Sequence, residues 1–155
     1  MSREQSQRFA IACLAAGVVV LVDQATKAAA LGGMSQTERI PLLGDLLGLQ
    51  LAFNPGAILS LGADFTGLLT LLGVGAVVVL VVAAARARTE TWAVGIGLIL
   101  GGAIGNVIDR LFSPPGFGVG HVTDFLAYGN LFIGNLADVA LGAGALVLGL
   151  NMWIR

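Results

Sequence analysis

The sequence is poor in charge, in histidine and in cysteine. Only 11% of its residues are Asp, Glu, Lys or Arg, against about 25% in an ordinary soluble domain. Eight basic residues face nine acidic ones, which leaves no basic footprint for nucleic acid. A single cysteine excludes an intramolecular disulfide. One cysteine with one histidine cannot assemble a zinc site, so no metal is expected. No phosphate loop or dinucleotide fingerprint is present. What the chain has instead is apolar residues, 57% of 155, with a mean hydropathy of +0.92. That excludes a disordered chain and points to an integral membrane protein rather than a soluble globule. The length predicts one domain, residues 1–155.

A membrane-spanning helix needs about 20 apolar residues. Four stretches qualify, at about 9–31, 65–85, 92–112 and 132–154. Runs such as the one over 74–85 lack the period-two alternation of barrel strands. The first stretch is expected to be a retained helix and not a signal peptide, because it carries Asp23 and Lys27 and no A-x-A site. Cys13, after Ala10-Ile11-Ala12, has too few apolar residues before it for a lipoprotein cleavage box. It is expected to be a packed or lipid-facing thiol. Arg3, Arg8, Arg86, Arg88 and Arg155 mark one side as cytoplasmic. Both termini are then inside, and segments 32–64 and 113–131 are outside. Of the nine acids, only Glu4 and Glu90 fall on the cytoplasmic side.

Charged and amide side chains inside a bilayer are functional candidates by default. At 1.5 Å per residue, Asp23 and Asn106 lie roughly 21 Å from the cytoplasmic starts of their helices, and Asp109 roughly 25 Å. Asp138 lies roughly 9 Å below the outer start of the fourth helix. In a core of about 30 Å these residues share one plane beneath the outer surface. Structural roles compete for several of them. Asp23 and Lys27, spaced i, i+4, suit an ion pair, and Lys27 can also snorkel outward. Gly97, Gly101 and Gly105 form a small-xxx-small ridge for close helix approach. Gly102, Gly105, Asn106 and Asp109 share one face. Asn106, Asp109 and Arg110 suit a polar knot, with Asp109 and Arg110 neutralising each other.

Asp124 and Asp138 differ, since no basic residue lies near either in sequence. Asn135 can cap the fourth helix, and the helix dipole favours Asp138. If the loop carrying Asp124 folds back, two unpaired carboxylates meet in a low dielectric. Such a pair shares a proton, and one member can activate water while the other protonates a carbonyl oxygen. A Ser60/His121/Asp124 triad has the right residue types but no recognisable elbow motif.

Five blocks carry a resemblance to a known family. They are Asp23-Gln24-Ala25-Thr26-Lys27, the stretch from Asn54-Pro55-Gly56 to Ser60, and Gly105-Asn106-Val107-Ile108-Asp109-Arg110. Val122-Thr123-Asp124-Phe125 and Asn135-Leu136-Ala137-Asp138 follow. In this order, on four apolar stretches, the chain resembles the bacterial lipoprotein signal peptidases, or signal peptidase II. The resemblance implies an intramembrane aspartyl endopeptidase without cofactor, in the inner membrane. It would cleave prolipoproteins before their diacylglyceryl-modified cysteine, among membrane lipids and as a monomer. It also implies Asp124 and Asp138 as catalytic dyad. Asn54, Gly56, Asn106, Arg110 and Asn135 would line the site, with Asp23, Lys27 and Asp109 supporting it.

The fold it implies is all-α, four transmembrane helices with a small extracytoplasmic β-sheet between helices one and two. Segment 37–60 is expected to supply that sheet, although its apolar pattern also suits an amphipathic helix. Two departures stand out. The second block usually reads Asn-x-Gly-Ala-Ala-Phe-Ser in the family, and Pro55, Ile58 and Leu59 alter it here. The connection from Asp109 to Asp124, with Ser113-Pro114-Pro115-Gly116, is longer than usual. These departures leave room for an inactive or specialised paralogue that binds lipoprotein precursors or an inhibitor. A small transporter would also place acids in the bilayer.

Overall fold

Three of the four long helices, all but the second, start where a side chain can take up free backbone N–H groups. The computed structural model describes residues 1–57 and 60–154. Helix α1 covers Arg3–Gly33, and Ser2 caps it by accepting from the Gln5 amide. It begins six residues before the apolar stretch, because Arg8 pairs with Glu4 one turn away at 2.9 Å and extends the polar first turns. A short 3₁₀ turn over Ala63–Phe65 leads into α2, Thr66–Ala85. Helix α3 spans Glu90–Phe112 and is capped by Thr89. Helix α4 spans Leu136–Trp153. All four are long and apolar enough to cross a membrane.

Helix α3 is the central strut, packed on α1, α2 and α4. Its glycine ridge is the reason. A Cβ at Gly97 would lie 2.5 Å from the Ala12 carbonyl oxygen, and one at Gly101 2.7 Å from that of Ala16. On the adjoining face a Cβ at Gly102 would lie 2.5 Å from the Ala137 carbonyl oxygen of α4. Backbones this close draw on van der Waals contact, the main attraction left between helices when lipid is the solvent. Large apolar side chains such as Leu14, Leu21, Leu71 and Val79 stay on the outside, where acyl chains would cover them. Cys13 is among the exposed residues, as a lipid-facing thiol requires.

The sheet is antiparallel, in the order β1-β2-β3-β4. Strands β1 (Ile40–Leu43) and β2 (Leu47–Asn54) come from the expected segment, which resolves the choice there in favour of strands. Strands β3 (Val122–Tyr128) and β4 (Phe132–Gly134) come from the connection between α3 and α4. That half of the sheet lies outside the segment expected to supply it, and residues 132–134 fall within the stretch that the apolar pattern assigns to the fourth helix. They pair with 126–128 instead, because Asn135 fixes the helix start one residue later. Both hairpins turn on a glycine in the left-handed region, Gly44 (φ 51°) and Gly129 (φ 55°). Arg39 binds the two tips together, donating to the carbonyls of Gly129 at 2.8 Å and Asp45 at 3.1 Å.

Filling the ridge should loosen the bundle. Gly101→Leu is expected to cost about 1–3 kcal/mol through overpacking, or roughly 2–4 °C of Tm per kcal/mol. Gly75→Ala, where a Cβ meets nothing within 4 Å, should leave Tm unchanged or slightly raised. Thermal unfolding of both variants in one detergent provides the comparison.

Candidate active site

The site is organised around Lys27, which is buried on α1. Its ammonium lies 2.8 Å from Asp23 Oδ2 and 2.9 Å from Asp109 Oδ2, and it donates to Asn106 Oδ1 at 3.1 Å. The i, i+4 pair is therefore present, but Lys27 does not snorkel. It turns inward because α3 supplies a second carboxylate. Each carboxylate then reaches onward. Asp23 Oδ1 accepts the Ala137 amide at 2.9 Å, at the start of α4. Asp109 Oδ2 accepts the Thr123 amide at 3.0 Å, on β3. One buried cation thus ties α1, α3, α4 and the sheet together. Gln24 joins in, its Nε2 donating to Asp23, to Asp109 and to the Gly105 carbonyl, each at 3.2 Å. Gln24 was not among the expected site residues; a further polar residue beside Asp23 in an apolar helix was the available signal. Gly105 must lack a side chain, since its Cβ would stand 2.5 Å from Asp23 Oδ2.

The expected neutralisation of Asp109 by Arg110 does not occur. Adjacent helical residues point about 100° apart. Asp109 faces Lys27, while Arg110 reaches the turn after β2. Its guanidinium donates to the Pro55 carbonyl at 3.2 Å and to the Gly56 carbonyl. That turn is closed by Asn54, whose Oδ1 accepts the Gly56 amide at 2.9 Å and whose Nδ2 donates to Ala57 at 3.0 Å. Gly56 is needed there, because a Cβ would collide with the backbone of Ser60. Pro55 is accommodated, since only its carbonyl is used. Ile58 and Leu59, the other altered positions, lie outside the described residues.

Asp124 sits on β3 opposite Ala52, and Asp138 in the first turn of α4. Asn135 links them. Its backbone amide donates to Asp138 Oδ2 at 3.2 Å, and its Oδ1 accepts the Asp138 amide at 3.0 Å, which closes a capping box. Its Nδ2 donates to Asp124 Oδ1 at 2.7 Å and to Asn106 Oδ1 at 3.2 Å. Asn106 in turn donates to Asp138 Oδ1 at 3.0 Å. Capping and site roles therefore coincide at Asn135 and Asp138.

Among the described residues, Asp124 and Asp138 make no ion pair, whereas Asp23 and Asp109 both do. Both open on one cavity of about 490 Å³, with Asn54, Gly56, Asn106 and Arg110 at its wall. Burial pushes Asp124 up to about 7; the Asn135 hydrogen bond opposes this, Asp138's charge adds to it and Lys27's charge opposes it.

The long connection after α3 folds back on that helix. The Gly120 amide donates to Arg110 at 2.9 Å and the His121 amide to Pro114 at 3.0 Å. Its extra length is thus absorbed before Thr123, and Asp124 lands in the site. The Ser60 triad is not assembled. Ser60 Oγ bonds Asn54 Oδ1 at 3.3 Å, while Asp124 is held by Asn135.

A four-helix membrane bundle that holds two cation-free carboxylates over one cavity has the architecture of an intramembrane aspartic peptidase. The family model for signal peptidase (SPase) II matches residues 15–154. A lipoprotein signal peptidase of Rhodococcus jostii is 41% identical over 142 residues, covering 92% of this chain and 72% of that one. One of Leifsonia xyli is 46% identical over 124 residues, covering 79% of this chain and 57% of that one. A solved bacterial membrane enzyme shares the fold with a TM-score of 0.80 at 24% identity, over 92% of this chain and 87% of its own. The chain belongs to the signal peptidase II family, aspartic proteases that remove signal peptides from prolipoproteins.

Removing the central cation should be severe. Lys27→Met leaves two buried carboxylates facing each other, a loss of about 3–5 kcal/mol. Adding Asp23→Asn should recover part of that loss. Thermal unfolding in detergent checks both, and equal Tm values for wild type and Lys27→Met would refute the central role of Lys27.

Proposed function

We propose that Asp124 and Asp138 form the catalytic dyad of this peptidase and cleave before a diacylglyceryl-modified cysteine. One observation carries the assignment. These two carboxylates face a common cavity with only neutral amides bonded to them, while their neighbours Asp23 and Asp109 are compensated by Lys27. Two acids so placed cannot both ionise cheaply and hold one proton between them. The ionised member takes a proton from water as it attacks the scissile carbonyl carbon. The protonated member delivers its proton to the carbonyl oxygen. Collapse of the resulting diol expels the amine and restores the shared proton. Asn135 and Asn106 hold the carboxylates in register, and Arg110 with Asn54 shapes the turn at the cavity wall.

The depth of the site favours this substrate class. By the distribution of arginines, the α2–α3 turn is cytoplasmic, and the dyad lies at the opposite, outer end of the bundle. A lipid-anchored cysteine holds its preceding peptide bond near the membrane surface, where a shallow dyad can reach it. We read the chain as one domain acting as a monomer.

Two experiments test the reading. Purified protein should cleave a diacylglyceryl-modified prolipoprotein in detergent, and folded Asp124→Asn and Asp138→Asn variants should each lose about 10⁴-fold in kcat/KM. Turnover retained by either variant overturns the dyad. The pH dependence supplies the second. Because Asp124 is raised to about 7, the pair keeps its proton below that range and loses it above, so kcat/KM should fall as pH rises through about 7. The same shift means that the folded state binds more protons than the unfolded one, so this group's effect on stability becomes less favourable between pH 4 and 7. Asp124→Asn should flatten the decline of Tm over that interval; an unchanged slope would contradict the shift.

A further inference from the structure

Four of the eight basic residues are occupied by the protein itself. Arg8 pairs with Glu4, Lys27 with two aspartates, Arg39 with the hairpin tips, and Arg110 with the turn after β2. Arg86 and Arg88 are different. Both are exposed in the turn between α2 and α3, and among the described residues neither makes an ion pair. They stand at a hollow of about 350 Å³ whose other walls are apolar: Ala83 and Ala87, then Trp92 and Ile96 on the first turns of α3. The hollow is built on fixed elements. Gln5 of α1 braces the end of α2 by donating to the Ala85 carbonyl at 2.9 Å, and Thr89 caps α3. Ala87 and Ile96 belong to a buried cluster. The nearest acid in sequence is Glu90, which leaves the rim with a net positive charge.

We propose that this hollow is a selective site for one anionic phospholipid. Its acyl chain lies against Ala83, Ala87, Trp92 and Ile96, and its phosphate sits between Arg86 and Arg88. An apolar floor beneath two unpaired guanidinium groups matches a molecule with both characters, and guanidinium forks suit phosphate oxygens. The free amides at the start of α3 add to the attraction for an anion. Trp92 supplies the amphipathic ring typical of the membrane boundary. A zwitterionic headgroup brings its own cation to the same two arginines and is disfavoured. The proposal does not depend on the dyad, which lies at the other end of the bundle.

Trp92 allows a direct test, because the chain has only two tryptophans and the other, Trp153, is 86% exposed at the end of α4. In a Trp153→Phe background, Trp92 fluorescence is titrated in mixed micelles with dibrominated phosphatidylglycerol or phosphatidylcholine of identical chains. Phosphatidylglycerol should reach half-quenching at a mole fraction lower by roughly fivefold per arginine. The preference should vanish in Arg86→Gln/Arg88→Gln and persist in Arg86→Lys/Arg88→Lys, which separates lost charge from lost fold. Equal quenching by both lipids, or a preference that survives the glutamine variant, overturns the proposal. Inorganic phosphate at matched ionic strength should leave quenching intact; displacement would mean a free-anion site and would also overturn it.

Discussion

A single buried ammonium governs the polar interior of this protein. Charges away from water are tolerated only when they are paired and hydrogen-bonded. Lys27 faces two carboxylates at 2.8 and 2.9 Å, and those carboxylates spend their remaining capacity on backbone amides of α4 and β3. The arrangement sets the spacing of three helices and docks the sheet at one level. It also determines which acids are paired with a cation. Of four carboxylates at that level, Lys27 pairs two; Arg110 is committed to the turn carbonyls at the cavity wall, and the other two carboxylates are left to amides and the cavity. The chemistry of the site follows from that inequality of charge.

The small residues of α3 make the inequality possible. Lys27 can bridge α1 and α3 only if their backbones come close, and Gly97 and Gly101 bring them there. Gly105 then leaves room for the Asp23 carboxylate itself. The ridge is therefore a packing device over its first two members and an electrostatic one at its third. Arg110 is displaced from this network by helical geometry and does a different task. It secures the turn that carries Asn54 and Gly56, so the sheet is fastened to the bundle on both sides of the cavity.

Much of this was legible in the residues. Four apolar runs define four helices, and polar side chains within them fall at one depth because helical rise is constant. The ten site residues expected from the motifs do come together. What was not legible depends on contacts distant in sequence. Strand β4 is short and apolar, and nothing local distinguishes Phe132–Gly134 from the first turn of a membrane helix; its pairing with Leu126–Tyr128 decides. The partner of Asp109 is hidden for a related reason. Proximity in sequence favoured Arg110, whereas the helix face favoured Lys27 from another element. Gln24 escaped notice because its role exists only once α1 meets α3.

The misplaced start of α4 and the geometry of the dyad are one fact. Asn135 ends the sheet, begins the helix and bridges both carboxylates. A capping residue normally satisfies free amides at a helix end and goes no further. Here the cap's Nδ2 is spent on Asp124 and Asn106, so the dihedral angles that start the helix also orient the two carboxylates proposed as the dyad. Asp138 is the third residue of the capping box, which restricts its rotamer before any substrate arrives. The pair is thus oriented by the helix start together with two amide side chains, Asn135 and Asn106. That economy suits a small membrane protein, where α4 turns an apolar flank to lipid and polar support comes from the helix start, the strands above it and one amide of α3.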